Sequence, residues 1–283
     1  MHDLIGVVFD FDDTLAPDST WGFLEWWGED PPAFWRDKVD PLLEVGWDPI
    51  PAYLYAMIEA SKARPAGERI TRERLAEYGR SIRLYDGVTR IFDKLTAFAR
   101  AENPEIRLEF YIISSGIREI LVNTKISRHF TRIWSCDFLC HPESGEILFP
   151  KNVISFTDKT RYLFQISKGL AGPEYDSQPF AVNRRVNRED MRIPMNQMIY
   201  VGDGYTDIPC FSLIRKQNGV AIGVYNPKRE ENWRRAWGFI EDNRVSNLVP
   251  ADYSRNSALE ISLRMAIRSL AGDIGLRRRT HRD

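Results

Sequence analysis

A short apolar run, Ile5-Gly6-Val7-Val8-Phe9, ends abruptly on Asp10-Phe11-Asp12-Asp13-Thr14. So brief a run, rich in β-branched and aromatic residues, reads as a buried strand. The acids then stand at its carboxyl end, where open α/β sheets build their ligand sites. Asp10 and Asp12 are two residues apart, so an extended backbone aims both to one side. Two carboxylates packed together are costly unless a cation or a proton resolves their repulsion. Metal binding, acid/base chemistry or both are therefore expected here.

Similar runs recur at Leu108–Ile113, Ile133–Phe138, Met198–Val201 and Val220–Val224. Helical patterns lie between several of them, as at Arg118–Lys125 and Lys159–Ile166. Strands alternating with helices predict an α/β fold: a mainly parallel sheet covered on both faces. Residues 18–84 break the alternation. They read as short helices separated by Asp30-Pro31-Pro32, Pro51 and Pro65, inserted after the first strand. Aromatics concentrate there, at Trp21, Phe23, Trp26, Trp27, Phe34, Trp35, Trp47, Tyr53 and Tyr55. A module this short needs large side chains to bury enough area, so these are expected to form its core, with one or two that face the acid cluster left as candidates to touch substrate.

Three further segments carry site chemistry. Tyr111-Ile112-Ile113-Ser114-Ser115-Gly116 places hydroxyls and backbone N–H groups at a strand-to-helix turn. Such a turn suits a phosphate oxygen, and it equally suits an ordinary helix cap. Lys159 opens a helical pattern; alone it would read as a surface lysine. Gly202-Asp203-Gly204-Tyr205-Thr206-Asp207 again follows a strand and supplies two more carboxylates on a tight turn. Asp10, Asp12, Asp203 and Asp207 cannot all be charged together without cations. Hard oxygen ligands of this kind select Mg²⁺, held by a few carboxylates plus a substrate phosphate, with Lys159 offsetting the remaining charge.

The net charge of −1 on 283 residues gives no reason to expect nucleic acid as partner. No apolar run reaches the ~18–20 residues that span a bilayer, so no membrane association is expected. Nor does the N-terminus read as a signal peptide. Cys136, Cys140 and Cys210 are too few for a disulfide framework, which makes a cytoplasmic setting the default. Cys136, Cys140 and His141 match no common zinc spacing. Ser257–Leu270 has an amphipathic helix pattern that docks on the core or on a second subunit, leaving monomer and homodimer both open. Arg277, Arg278, Arg279 and Arg282 form a basic tail read as solvated.

The ordered set Asp10-Phe11-Asp12-Asp13-Thr14, Ser114, Lys159 and Gly202–Asp207 resembles the four motifs of the haloacid-dehalogenase-like (HAD) superfamily of hydrolases. The insertion resembles the C1 cap of the phosphoserine-phosphatase-like branch, and the Ser114–Lys159 interval is short for a large second cap. The resemblance implies a Rossmann-like three-layer sandwich, with residues 1–17 and 85–283 as catalytic core and 18–84 as helical cap. It also implies a Mg²⁺-dependent phosphatase acting on a small phosphorylated metabolite. In that reading Asp10 attacks phosphorus to form an aspartyl-phosphate, and Asp12 protonates the leaving oxygen and then activates water. Thr14, Ser114, Ser115 and Gly116 would bind or frame the phosphoryl group, and Lys159 would neutralise it. Asp10, the backbone carbonyl of Asp12, Asp203 and, directly or through water, Asp207 would hold the metal. Asp12 favours ester chemistry, because an alkoxide leaving group needs a proton. Asp13 points away and serves the loop. Ser19, with Asp18 adjacent, stands where phosphoserine phosphatases place a glutamate for the substrate amine, which puts phosphoserine in doubt as substrate. Phosphoryl transfer to a second hydroxyl, as in a mutase, uses the same residues, and a non-catalytic binding protein on this scaffold is the alternative from another class. Between Lys159 and the last motif, residues 169–196 form a longer segment than a minimal member needs. Its Arg184, Arg185 and Arg188 read as a surface helix or a partner site.

Overall fold

The computed structural model describes residues 3–226 and 244–280, with side chains through residue 277. Seven strands form one sheet in the order β4-β3-β2-β1-β5-β6-β7. They are β1 (Leu4–Phe9), β2 (Arg107–Ile117), β3 (Phe130–Cys140), β4 (Ile147–Asn152), β5 (Met198–Gly202), β6 (Val220–Tyr225) and β7 (Asn247–Pro250). All neighbours run parallel except β3 and β4. β1 is buried along its whole length, which explains its unbroken apolar run. Its neighbours are β2 and β5, so the chain order reverses beside β1, the switch point at which such sheets bind ligands.

Helices cover both faces. Helix α6 (Val88–Glu102) and the long helix Ala258–Thr280 pack together on one side. On the other lie α8 (Asp158–Lys168) and α9 (Ile208–Lys216). Leu259, Leu263, Ile267 and Leu270 of the long helix are buried within this chain, so its apolar stripe docks on its own core. Arg282 of the basic tail lies outside the described residues, as do the side chains of Arg278 and Arg279.

Between β1 and α6 run five helices: α1 (Ser19–Trp26), α2 (Pro31–Phe34), α3 (Asp40–Glu44), α4 (Pro49–Lys62) and α5 (Arg72–Ser81). A π-helical turn, Trp35–Val39, joins α2 to α3. Phe23, Trp27, Phe34 and Tyr53 are buried here as expected, while Trp26, Trp47 and Tyr55 are exposed. The helices are pressed onto the rest of the molecule. A Cβ on Gly79 of α5 would stand 2.3 Å from the carbonyl oxygen of Ile120 in α7 (Arg118–Val122). Helix α4 lies against β4, and Thr71 bridges Glu146.

Three features depart from the sequence reading. β4 is an edge strand with only Ile147 buried and Pro150 within it, so it lacks the apolar signature of its neighbours. β2 continues through Ser114-Ser115-Gly116 to Ile117, with an irregular register, where a turn was expected after Ile113. Residues 169–196 contain no α-helix. They form four 3₁₀ turns, tied down where Lys168 Nζ donates to the carbonyl oxygens of Val182 (2.6 Å) and Arg184 (2.7 Å).

Candidate active site

Asp10 sits just past β1, where its N–H donates to Val201 O at 2.9 Å and fixes it beside the end of β5. The chain then folds into a tight loop: the carbonyl of Phe11 accepts N–H bonds from Thr14, Leu15 and Ala16. Asp13 takes a left-handed backbone (φ 49°) that its short polar side chain tolerates. Its carboxylate turns outward to accept the Tyr85 hydroxyl at 3.0 Å, in keeping with a loop role.

Lys159 enters from the first turn of α8, a poor place for a cation on helix-dipole grounds. Two carboxylates outweigh that penalty and the cost of complete burial. Its Nζ lies 3.1 Å from Asp10 Oδ2 and 2.7 Å from Asp207 Oδ1. Those neighbours hold the ammonium above its ordinary pKa despite desolvation. Asp207 is fully buried, its oxygens in use: Oδ1 also accepts the Tyr200 hydroxyl at 2.7 Å, and Oδ2 accepts Gly204 N–H at 3.1 Å. Gly202 is needed for this approach, since a Cβ there would fall 2.5 Å from Asp207 Oδ2.

Asp10, Asp203 and Asp207 each offer an oxygen within 4.8 Å of the others, and all three are buried. Asp10 Oδ1 is buried with no hydrogen-bond partner. Burial first, and Asp207 second, raise the Asp10 carboxyl to about 7 in the absence of an ion, against the pull of Lys159. Three clustered carboxylates with one ammonium leave an uncompensated negative charge, and an all-oxygen donor set with an orphaned oxygen fits a hard divalent cation such as Mg²⁺. Cys136, Cys140 and His141 do not gather as metal ligands. Cys136 Sγ instead accepts Ile154 N–H at 3.2 Å.

The side chain of Asp12 stands outside the acidic triad. Its Oδ1 accepts the N–H of Ser19 at 2.7 Å, joining the β1 loop to the start of α1. A Cβ on Gly116 would fall 2.7 Å from its Oδ2, so that glycine makes room for it. Desolvation first, and Asp18 second, raise the Asp12 carboxyl well above the usual range.

Ser114 is buried, and its Oγ accepts Gly116 N–H at 2.9 Å, which leaves the hydroxyl proton to donate elsewhere. Thr14 Oγ1 is buried without a partner, as is Ser19 Oγ. Ser115 differs: its hydroxyl donates to Ile154 O at 2.8 Å and is spent on joining β2 to the segment before α8. Two neighbours of the site went unread in the sequence. Tyr200 looked like one more strand residue; its hydroxyl supports Asp207. Tyr53, counted among the core aromatics of the helical module, donates its hydroxyl to Ser115 O at 2.5 Å. Nothing in its local sequence specifies that contact across 62 positions.

No protein-family model matches the chain. An uncharacterized protein of Borreliella burgdorferi is 27% identical over 282 residues, with 91% of this chain and 94% of that protein covered. Among solved structures, a HAD family hydrolase from Salmonella enterica serovar Typhi aligns with a TM-score of 0.59 at 12% identity, covering 94% of this chain and 71% of that one. A probable phosphoserine phosphatase from Vibrio cholerae aligns at 0.55 and 14%, covering 95% of this chain and 66% of that one. A phosphoserine phosphatase captured as a phospho-aspartyl intermediate analogue aligns at 0.50 and 14%, covering 89% and 94%. The chain therefore has the Rossmann-like α/β fold of the HAD hydrolases.

Proposed function

We propose that this chain is a HAD-superfamily phosphatase that hydrolyses a small phosphorylated metabolite through an aspartyl-phosphate on Asp10, with Mg²⁺ as cofactor. The observation that carries this reading is the state of Asp10: buried at a strand end, one oxygen on Lys159 and the other without a partner. The fold shared with a phosphoserine phosphatase captured as a phospho-aspartyl intermediate analogue supports it.

Phosphoryl transfer asks mainly for positioning and charge neutralisation. Asp10 would attack phosphorus, forming a carboxylate O–P bond as the ester P–O bond breaks. Asp12, whose carboxyl burial and Asp18 push up, would give a proton to the departing alkoxide. As a carboxylate it would then take a proton from the water that attacks the aspartyl-phosphate, which returns Asp10 and releases inorganic phosphate. Splitting one difficult displacement into two easier ones is the advantage of the covalent step. Lys159, the Ser114 hydroxyl and the unpartnered Thr14 hydroxyl would hold the phosphoryl oxygens. Mg²⁺, held by Asp10, Asp203 and the backbone carbonyl of Asp12, would supply charge neutralisation at the transferring group. Asp207 would serve by holding Lys159, and would reach the metal at most through water. Helices α1–α5 would form the cap over the site, with the Ser19–Asp12 and Tyr53–Ser115 bonds closing it. The residue at the position expected for an amine-binding glutamate is Ser19, whose N–H is on Asp12, with the Asp18 carboxylate adjacent, so phosphoserine is not singled out as substrate.

The test is inorganic phosphate release from a panel of phosphorylated metabolites, with and without Mg²⁺, for wild type and Asp10→Asn. Release that needs both Mg²⁺ and Asp10 is expected. Turnover retained by Asp10→Asn would remove it as nucleophile. A product with its phosphoryl group moved to another hydroxyl would make the enzyme a mutase.

A further inference from the structure

A cleft of about 500 Å³ opens between α8, the β3–β4 edge and the segment after α8. None of Asp10, Asp12, Ser114, Lys159, Asp203 or Asp207 lines it. Arg161, Tyr162 and Gln165 of α8 do. Arg161 is two residues beyond Lys159, about 200° around the helix, so one helix presents a cation to each of two separate sites.

The lining is built for an anion. Arg118, Arg132, Lys151 and Arg161 supply four cations, against the two acids Asp137 and Asp176. Lys151 pairs with Asp137 at 3.6 Å, and Arg132 pairs with Asp176. Arg118 donates to the carbonyl of Ile133 at 3.1 Å, and Arg161 lies over the Tyr162 ring, 4.5 Å from its centre. Among the described residues, neither Arg118 nor Arg161 has a carboxylate in ion-pair contact. Moreover, three lining groups are buried with no hydrogen-bond partner: Arg132 Nε, Arg161 Nε and Ser135 Oγ. Buried polar atoms are almost always satisfied. All three belong to residues that line the one cationic cleft, where the Arg161 guanidinium also donates to the Tyr162 hydroxyl. The volume is that of a small-molecule pocket, and Trp134 and Tyr162, with rings 5.2 Å apart, give it an aromatic floor.

We infer that this cleft is a second ligand site, which binds a small anionic metabolite through phosphoryl or carboxylate oxygens on Arg132, Ser135 and Arg161. The site holds whether or not Asp10 is a nucleophile. Because Arg161 and Lys159 share α8, an occupant here sits one helix away from the catalytic candidates.

The experiment is calorimetric titration of the full chain, in Mg²⁺, with inorganic phosphate in one arm and succinate in the other. Wild type is compared with Arg161→Gln, Lys151→Gln and Asp203→Asn. For at least one anion, a binding component is expected that survives Asp203→Asn and weakens tenfold or more in Arg161→Gln. Lys151 has a side chain 65% exposed, so its variant keeps the fold, and it should weaken the same component severalfold. Phosphate in that component identifies a phosphoryl ligand, and succinate a carboxylate one. Binding that vanishes in Asp203→Asn and is unchanged in Lys151→Gln and Arg161→Gln belongs to the acidic site and overturns the inference. So does the absence of binding by either anion at millimolar concentration.

Discussion

Asp10 carries two conflicting demands. Burial and Asp207 push its carboxyl up to about 7, while nucleophilic attack needs the carboxylate. A raised pKa means that the folded chain binds this proton more tightly than the unfolded chain, whose reference value is 3.8. The associated stability is complete below about pH 4 and is lost as the pH rises through about 7. In chelator, the melting temperature should therefore fall across that window. Asp10→Asn should flatten the profile and stabilise the protein at pH 8 by a few kcal/mol at most. An unchanged profile in Asp10→Asn would show that Asp10 is not the titrating group. Lys159 is the complementary case. Lys159→Ala would leave Asp10 and Asp207 buried without their cation, and breaking such a pair costs ~3–5 kcal/mol. Urea unfolding of the variant measures that loss.

The helices between β1 and α6 matter at the next scale because their contacts end on site residues. Tyr53 of α4 reaches Ser115 O, the Ser19 N–H of α1 reaches Asp12, and Asp48, ahead of α4, accepts the Ser155 hydroxyl at 3.2 Å. Tyr53→Phe removes one such tie and little volume. It should cost ~1 kcal/mol in denaturant unfolding, the usual worth of one hydrogen bond. If the module works as a lid, KM should rise more than kcat falls when substrate is supplied; a kcat effect alone would place Tyr53 in the chemistry. Most of these elements could be read from the sequence. Short apolar runs gave the five central parallel strands, and Pro31-Pro32 and Pro65 marked breaks between short helices, whereas Pro51 falls in the first turn of α4, where a proline costs no hydrogen bond. β4 and β7 escaped because neither is buried on both faces, so neither carries an unbroken apolar run. The 3₁₀ turns of 169–196 escaped because single turns have no period to detect.

Across the whole molecule, the acidic triad couples ion binding to stability. A cation that binds only the folded chain adds ~2.7 kcal/mol at a hundredfold excess over Kd. Mg²⁺ should therefore raise the melting temperature of wild type, and Asp203→Asn should abolish the shift. An equal shift in both would place the ion elsewhere. No helix among the described residues is long and apolar enough to cross a membrane.

By itself the sequence determined that acids would stand at two strand ends, with hydroxyls and a lysine on neighbouring segments. Strand runs, glycine turns and helix starts are local, and a sheet of this kind brings its carboxyl edges together. Only the tertiary structure decided how those groups divide the work. Asp207 is spent on Lys159, Tyr200 and Gly204, the Ser115 hydroxyl is spent on Ile154, and one oxygen of Asp10 is left over. The Lys159–Asp207 and Ser115–Ile154 contacts join residues 48 and 39 positions apart. Such contacts follow from packing and strand register, which no local pattern records. The cationic cleft has the same origin: Arg118, Arg132, Lys151 and Arg161 come from four separate elements, and nothing in their spacing along the chain announces that they share one wall.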